Sequence, residues 1–130
     1  KPEENLYSLL KEMYKGFTIE RQYNKDPRYP FYCDFYIKEL DFFIELQGCW
    51  THGKEPFDGN NLPESWKSKA ETSKYYKNAV DVYTKKDPEK RSYASRNDLN
   101  YLEIWNGDLD KGLDWVASLS YLSMVRLKPL

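Results

Sequence analysis

Between Tyr29 and Gly53 the chain reads Tyr-Pro-Phe-Tyr-Cys-Asp-Phe-Tyr-Ile, a short polar break, then Asp-Phe-Phe-Ile-Glu-Leu-Gln-Gly-Cys-Trp-Thr-His-Gly. Both halves are rich in strand-favouring residues and alternate with period 2, so they predict two antiparallel strands of a pleated sheet. Phe31, Cys33, Phe35 and Ile37 fall on one face, and Tyr32, Asp34 and Tyr36 on the other. In the second half Phe43, Glu45 and Gln47 oppose Phe42, Ile44 and Leu46. A turn centred between Glu39 and Leu40 places Asp34 directly across from Glu45, and Tyr32 across from Gln47. Opposed residues project to the same face with Cβ atoms roughly 4.5 to 5.5 Å apart. Two carboxylates at that spacing repel unless a cation lies between them. A hard divalent ion is the expected partner, because Mg²⁺ is commonly held by one or two carboxylates plus waters and phosphate oxygens.

Around this hairpin the expected order is α, β, β, β, α, α, β, α. Pro2, Glu3 and Glu4 suit the first turn of a helix over residues 2–15, with Leu6, Leu9, Leu10 and Met13 as its buried stripe. Glu3 falls at the end of that stripe, where it either complements the helix dipole or reaches over a neighbouring site. After Gly16, Phe17 to Tyr23 alternates as a first strand, and Asn24 to Pro30 reads as a loop. Residues 64–84 read as one long helix with Trp66, Ala70, Ser73, Tyr76, Val80 and Tyr83 on one face and Lys67, Lys74 and Lys85 together on another side. Asp87-Pro88-Glu89 has the form of a helix start, Asp at the N-cap and Pro at the first helical position. Tyr101 to Trp105 is a short strand, and Asp108 caps a last helix whose stripe is Leu109, Leu113, Val116 and Leu119.

The 130 residues suit a single domain with its own core. A net charge of −1 argues against a stand-alone nucleic-acid binder. The charge is uneven, though: from Trp66 to Arg91 there are eight Lys or Arg against four Asp or Glu, which leaves room for a local basic face. With no apolar run of transmembrane length and no signal-peptide pattern, a soluble, intracellular, cytoplasmic protein without membrane partners is expected. Cys33 and Cys49 in apolar strand contexts are expected to be buried reduced thiols. The first residue is Lys1, and the chain is expected to be a fragment of a longer protein with a separate DNA-binding region.

An Asp on one strand and Glu-x-Gln on the next strand of a meander resemble the PD-(D/E)XK nuclease superfamily, with Cys33 in place of its usual Pro and Gln47 in place of its usual Lys. The segment Ile44-Glu45-Leu46-Gln47-Gly48-Cys49-Trp50-Thr51-His52 resembles the site of the very-short-patch repair endonucleases. Glu3, Leu6, Ser8, Leu9 and Leu10 follow the spacing of that family's first helix, and Asp87 through Trp105 follows its Asp-led helix, link and strand. The nearer relatives implied are the phage homing endonucleases of the EDxHD group. The resemblance spans about residues 2–107. It implies a restriction-endonuclease-like core, a mixed sheet flanked by helices, and hydrolysis of double-stranded DNA with Mg²⁺, or Mn²⁺ in its place, leaving a 5′ phosphate. No small-molecule cofactor is implied, and a homodimer is compatible with it.

Carried over residue by residue, the resemblance implies Asp34 as the principal metal ligand and Glu45 as a second. Gln47 stands at a histidine position of the repair enzyme, and His52 is the general base or acid, since its pKa range suits proton transfer near neutrality. Asp87 orients His52, with Asp58 as a competing partner, and Glu3 supports metal-bound water. Trp50 corresponds to an aromatic that enters DNA, and Lys67, Lys74 and Lys85 are candidate phosphate contacts. The family's structural zinc does not carry over, because only Cys49 matches its ligands. Two other classes remain open: a nuclease-like scaffold without chemistry that binds nucleic acid or a protein, and a carbohydrate-binding module prompted by four Trp and twelve Tyr. The acid pair with His52 counts against both.

Overall fold

A computed structural model describes residues 2–48, 52–53 and 55–105, and it is α/β. Helix α1 (Pro2–Met13) is followed by β1 (Ile19–Tyr23), β2 (Cys33–Ile37), a single 3-10 turn and β3 (Phe42–Gln47). Helices α2 (Glu64–Lys69), α3 (Lys74–Asp81) and α4 (Asp87–Arg96) then lead to β4 (Asn100–Trp105). The four strands form one mixed sheet in the order β1-β2-β3-β4, antiparallel except for the parallel pair β3 and β4. A parallel neighbour needs a long crossover, which the three helices supply. Trp50, Cys49 and the expected last helix lie outside the described residues.

Helices cover both sides of the sheet. On one side Leu6, Leu10 and Tyr14 pack against Phe35, Ile37, Phe42, Ile44, Leu102 and Ile104. Leu6 and Leu10 stand one helical turn apart and are 3% and 0% exposed, so these two of the four expected stripe residues form it, while Leu9 is half-buried and outside this cluster. Met13 does not join it and is exposed, because the helix stops there and Gly16, at φ +85°, turns the chain toward β1. On the other side Tyr36 and Phe43 meet Tyr29, Cys33 and Ala94 of α4. Cys33 is buried, but beside Tyr36 rather than Phe35, contrary to strict alternation along β2.

The hairpin register is the expected one where the strands pair: Ile37 opposes Phe42, Tyr36 opposes Phe43 and Phe35 opposes Ile44. Backbone pairing of β2 with β3 ends at Phe35 and Ile44, one residue short of Asp34 and Glu45. Tyr32 lies outside β2 and is 61% exposed, so it does not stand across from Gln47.

Two helix boundaries differ from expectation. The long helix over residues 64–84 is broken: α2 ends at Lys69, and Ser73 caps α3, its hydroxyl accepting from the Tyr76 amide at 3.4 Å. Ser competes for backbone partners and so favours a cap over a helix interior. Lys67 therefore sits on a different helix from Lys74 and Lys85. Conversely, Asp87 is no N-cap. It has helical φ −65° and ψ −45°, and a π-helical turn over Val82–Lys86 joins α3 to α4 without a break. Pro88 explains the π turn: inside a regular α-helix its ring collides with the carbonyl four residues back and its missing N–H costs a bond. The widened turn makes room for the ring, and the Asp87 amide bonds Val82 O, five residues back.

Candidate active site

Where β2 and β3 part, the two acids close the gap with their side chains. The Asp34 amide donates to Glu45 Oε1 at 3.0 Å, and the Leu46 amide donates to Asp34 Oδ2 at 2.8 Å. The pair thus meets as expected, and each carboxylate also grips the backbone of the other strand. Glu45 is 3% exposed, and its Oε2 accepts from the Tyr29 hydroxyl at 2.5 Å and from Lys90 Nζ at 3.2 Å. Both oxygens of Glu45 are therefore engaged. Asp34 Oδ1 accepts from the neutral amide of Gln22 at 3.3 Å. Burial, and after it the charge of Glu45, push the Asp34 carboxyl up to about 6.

Glu3 reaches this cluster from the start of α1. Its Oε2 accepts from Arg21 at 2.8 Å, and the Gln22 amide lies 3.5 Å from Oε1. Gln22 thus stands between Glu3 and Asp34. It does so with φ +49°, a left-handed conformation rare outside glycine. Nothing in the sequence marks Gln22 for this place, since within an alternating strand one polar residue looks like another.

His52 follows β3 by five residues, and its amide donates to Gly48 O at 2.9 Å. Its Nδ1 is 2.5 Å from Asp87 Oδ2, and Asp87 is 1% exposed. An ionised carboxylate only accepts, so Nδ1 carries the proton and Nε2 is the ring nitrogen left for proton transfer. Asp58, the competing partner, instead accepts from the amides of Asn60 and Asn61 in its own turn. Gly53, at φ +73°, follows directly. A Cβ there would stand 2.7 Å from the Tyr83 ring, so the loop that carries His52 presses on an aromatic that only glycine permits.

Gln47 is 2% exposed, and its amide donates to Glu103 Oε2 at 3.0 Å. Glu103 in turn is held by Arg91 Nε at 2.9 Å and by the Tyr101 hydroxyl at 3.0 Å. Gln47 thus belongs to a polar cluster on β4. Lys74 and Lys85 line one groove with Lys77 and Thr84, while Lys67 on α2 lies outside it, and Trp50 lies outside the described residues. Tyr29 and Lys90 escaped sequence reasoning. Lys90 carried a signal, being three residues after Asp87 on a helix and hence on the same face; Tyr29, in an irregular loop, carried none.

For a hard divalent ion the donors fit in part. Asp34 Oδ1 accepts from a neutral amide, and one carboxylate with waters and substrate oxygens suffices for Mg²⁺. Glu45 is the more heavily engaged of the two, with three donors on it, and among the described residues no three His, Cys, Asp or Glu side chains converge as a ready-made site. No family model, no curated protein and no solved structure matches the chain. No helix among the described residues is long and apolar enough to cross a membrane.

Proposed function

We propose that the chain is the catalytic domain of a Mg²⁺-dependent DNA endonuclease of the PD-(D/E)XK type, similar to the very-short-patch repair and EDxHD homing endonucleases. The observation that carries it is the His52–Asp87 pair, drawn from two distant parts of the chain and tied through Lys90 on α4 to the Asp34–Glu45 pair. Structural packing alone gives no reason for a buried Asp to fix a histidine from so distant a part of the chain.

A divalent ion, when bound, polarises a phosphoryl oxygen and makes an attacking water more acidic. Asp34 would hold it, with the Leu46 amide fixing the carboxylate. His52 Nε2 takes the proton of the attacking water or gives one to the leaving oxygen, while Asp87 keeps the ring in the required tautomer and orientation. Glu3, through Gln22, extends the acidic wall on the far side of Asp34. Lys74, Lys77 and Lys85 supply phosphate contacts away from the chemistry, with sequence choice left to other parts of the protein.

The test is supercoiled plasmid incubated with Mg²⁺, Mn²⁺ or EDTA, alongside Asp34→Ala and His52→Ala. Metal-dependent cutting lost in both variants is expected. Full activity of Asp34→Ala ends the proposal. A second reading, a scaffold that binds nucleic acid without cutting it, is favoured by the engagement of both oxygens of Glu45, and it requires plasmid binding without cutting under every metal.

A further inference from the structure

Lys90 has no counterpart among the expected site residues, yet it is the one cation among the described residues with an ion pair to the acid pair. It stands on α4 one turn after Asp87, so the residue that orients His52 and the lysine that reaches Glu45 share a helix face. The Lys90 side chain is 21% exposed against 4% for Glu45, so the lysine lies at the rim and the glutamate beneath it. Burial pushes the ammonium down, but Glu45 and then Asp87 and Asp34 push it further up, and it stays charged. Glu45 is meanwhile engaged at both oxygens: the Asp34 amide is on one, and Tyr29 and Lys90 are on the other. Two neighbouring groups are partly engaged elsewhere: the Gln47 amide donates to Glu103, and Arg91 Nε is bound to the same carboxylate while its Nη2 is buried without a hydrogen-bond partner.

We propose that Lys90 is the cation that faces the scissile phosphate, and that Glu45 is the anchor aiming it rather than a ligand of the divalent ion. The proposal rests on the hydrolase reading for its substrate. Its chemistry is charge neutralisation: an ammonium has three donors, one of which goes to Glu45, and the others serve the phosphoryl oxygens as negative charge builds on them. With Lys90 over Glu45, the acid pair has one net negative charge, and Asp34 is the carboxylate left for the metal.

The decisive measurement is Mn²⁺ binding to the full chain, read from the electron paramagnetic resonance signal of free Mn²⁺ with no DNA present. Asp34→Asn is expected to weaken binding by 30-fold or more, on the order of 2 kcal/mol. Glu45→Gln, which keeps the size and an acceptor, is expected to stay within about threefold of the parent. Lys90→Met serves as the second probe. If lysine and metal competed for Glu45, its loss would tighten Mn²⁺ binding about tenfold or more; no tightening is expected. In single-turnover cleavage at saturating Mg²⁺, Lys90→Met is expected to lose on the order of 100-fold in rate and Lys90→Arg to recover most of it.

Loss of Mn²⁺ binding by Glu45→Gln in step with Asp34→Asn, or tightening in Lys90→Met, overturns the assignment of Glu45. Wild-type cleavage by Lys90→Met overturns that of Lys90. A parent chain that binds Mn²⁺ but cuts no DNA defeats the hydrolase reading and the phosphate role of Lys90 together, and leaves the assignment of Glu45 to the metal titration. A parent that binds no Mn²⁺ overturns both.

Discussion

Asp87 Oδ2 lies 2.5 Å from His52 Nδ1 across 35 residues of chain, and the carboxylate is buried almost completely while the imidazole keeps about a fifth of its surface. A histidine held this way has one nitrogen engaged, and on the proposed function the other is the one left for proton transfer. The contact joins His52 to the start of α4.

Asp87→Asn is the direct probe of that unit. The amide can offer Nδ1 a donor instead of an acceptor, which favours the wrong tautomer. Cleavage is expected to fall by roughly 10²- to 10⁴-fold, the range of positioned acid–base catalysis. Mn²⁺ binding, which depends on Asp34, is expected to stay unchanged. Equal losses of metal affinity and rate would show that Asp87 supports the fold of the site as a whole.

Asp34 makes stability depend on pH with an unusual sign. Its folded-state value of about 6 lies above the ordinary 3.8, so the folded chain holds the proton more tightly than the unfolded chain. The contribution of this group is full below about pH 4 and is lost as the pH rises through about 6. In EDTA, Asp34→Asn is therefore expected to melt higher than the parent at pH 8, by about 2 kcal/mol, and to show no such gain at pH 4. A lower melting temperature at pH 8 would mean that the Asp34 carboxylate is a net stabiliser. The same substitution is expected to abolish cutting, so stability and activity part at this residue.

Tyr29→Phe removes the hydroxyl that meets Glu45 Oε2 inside the core. The ring, 1% exposed, keeps its contacts with Phe31, Phe43 and Tyr101. What is lost is one charge-assisted hydrogen bond to a buried carboxylate, worth about 1.5 to 3 kcal/mol in chemical denaturation. A change below about 0.5 kcal/mol would mean that another donor replaces it.

Gly53→Ala strains the backbone and drives a methyl against Tyr83. The neighbouring His52 is expected to shift, with cleavage falling more than tenfold while global stability drops by only about 1 to 3 kcal/mol. Wild-type turnover in this variant would show that the loop tolerates displacement of the histidine.

The hairpin was legible because alternation encodes both face and register: Phe35 against Ile44 follows from the spacing alone, and with it the approach of Asp34 to Glu45. The parting of the strands at that point was not legible, since it depends on side chains taking over backbone bonds. Asp87 misled for a physical reason. Asp-Pro-Glu satisfies the local chemistry of a helix start, and only tertiary context, a histidine to bind and a preceding turn able to widen, keeps it inside a continuous helix. Gln22 needed a left-handed backbone that no local pattern announces. The family resemblance brought Glu3, His52 and Asp87 into one neighbourhood, but it could not indicate Lys90, which matters here because Gln47 is not a lysine.

The π turn over Val82–Lys86 carries one residue more than a regular helical turn holds, and in an α-helix each residue advances the face by roughly 100°. The turn absorbs that surplus by widening, so the helix faces before and after it stay in phase, and removing one exposed position such as Lys85 would restore a regular α-helix and set the Pro88 ring against the carbonyl four residues back.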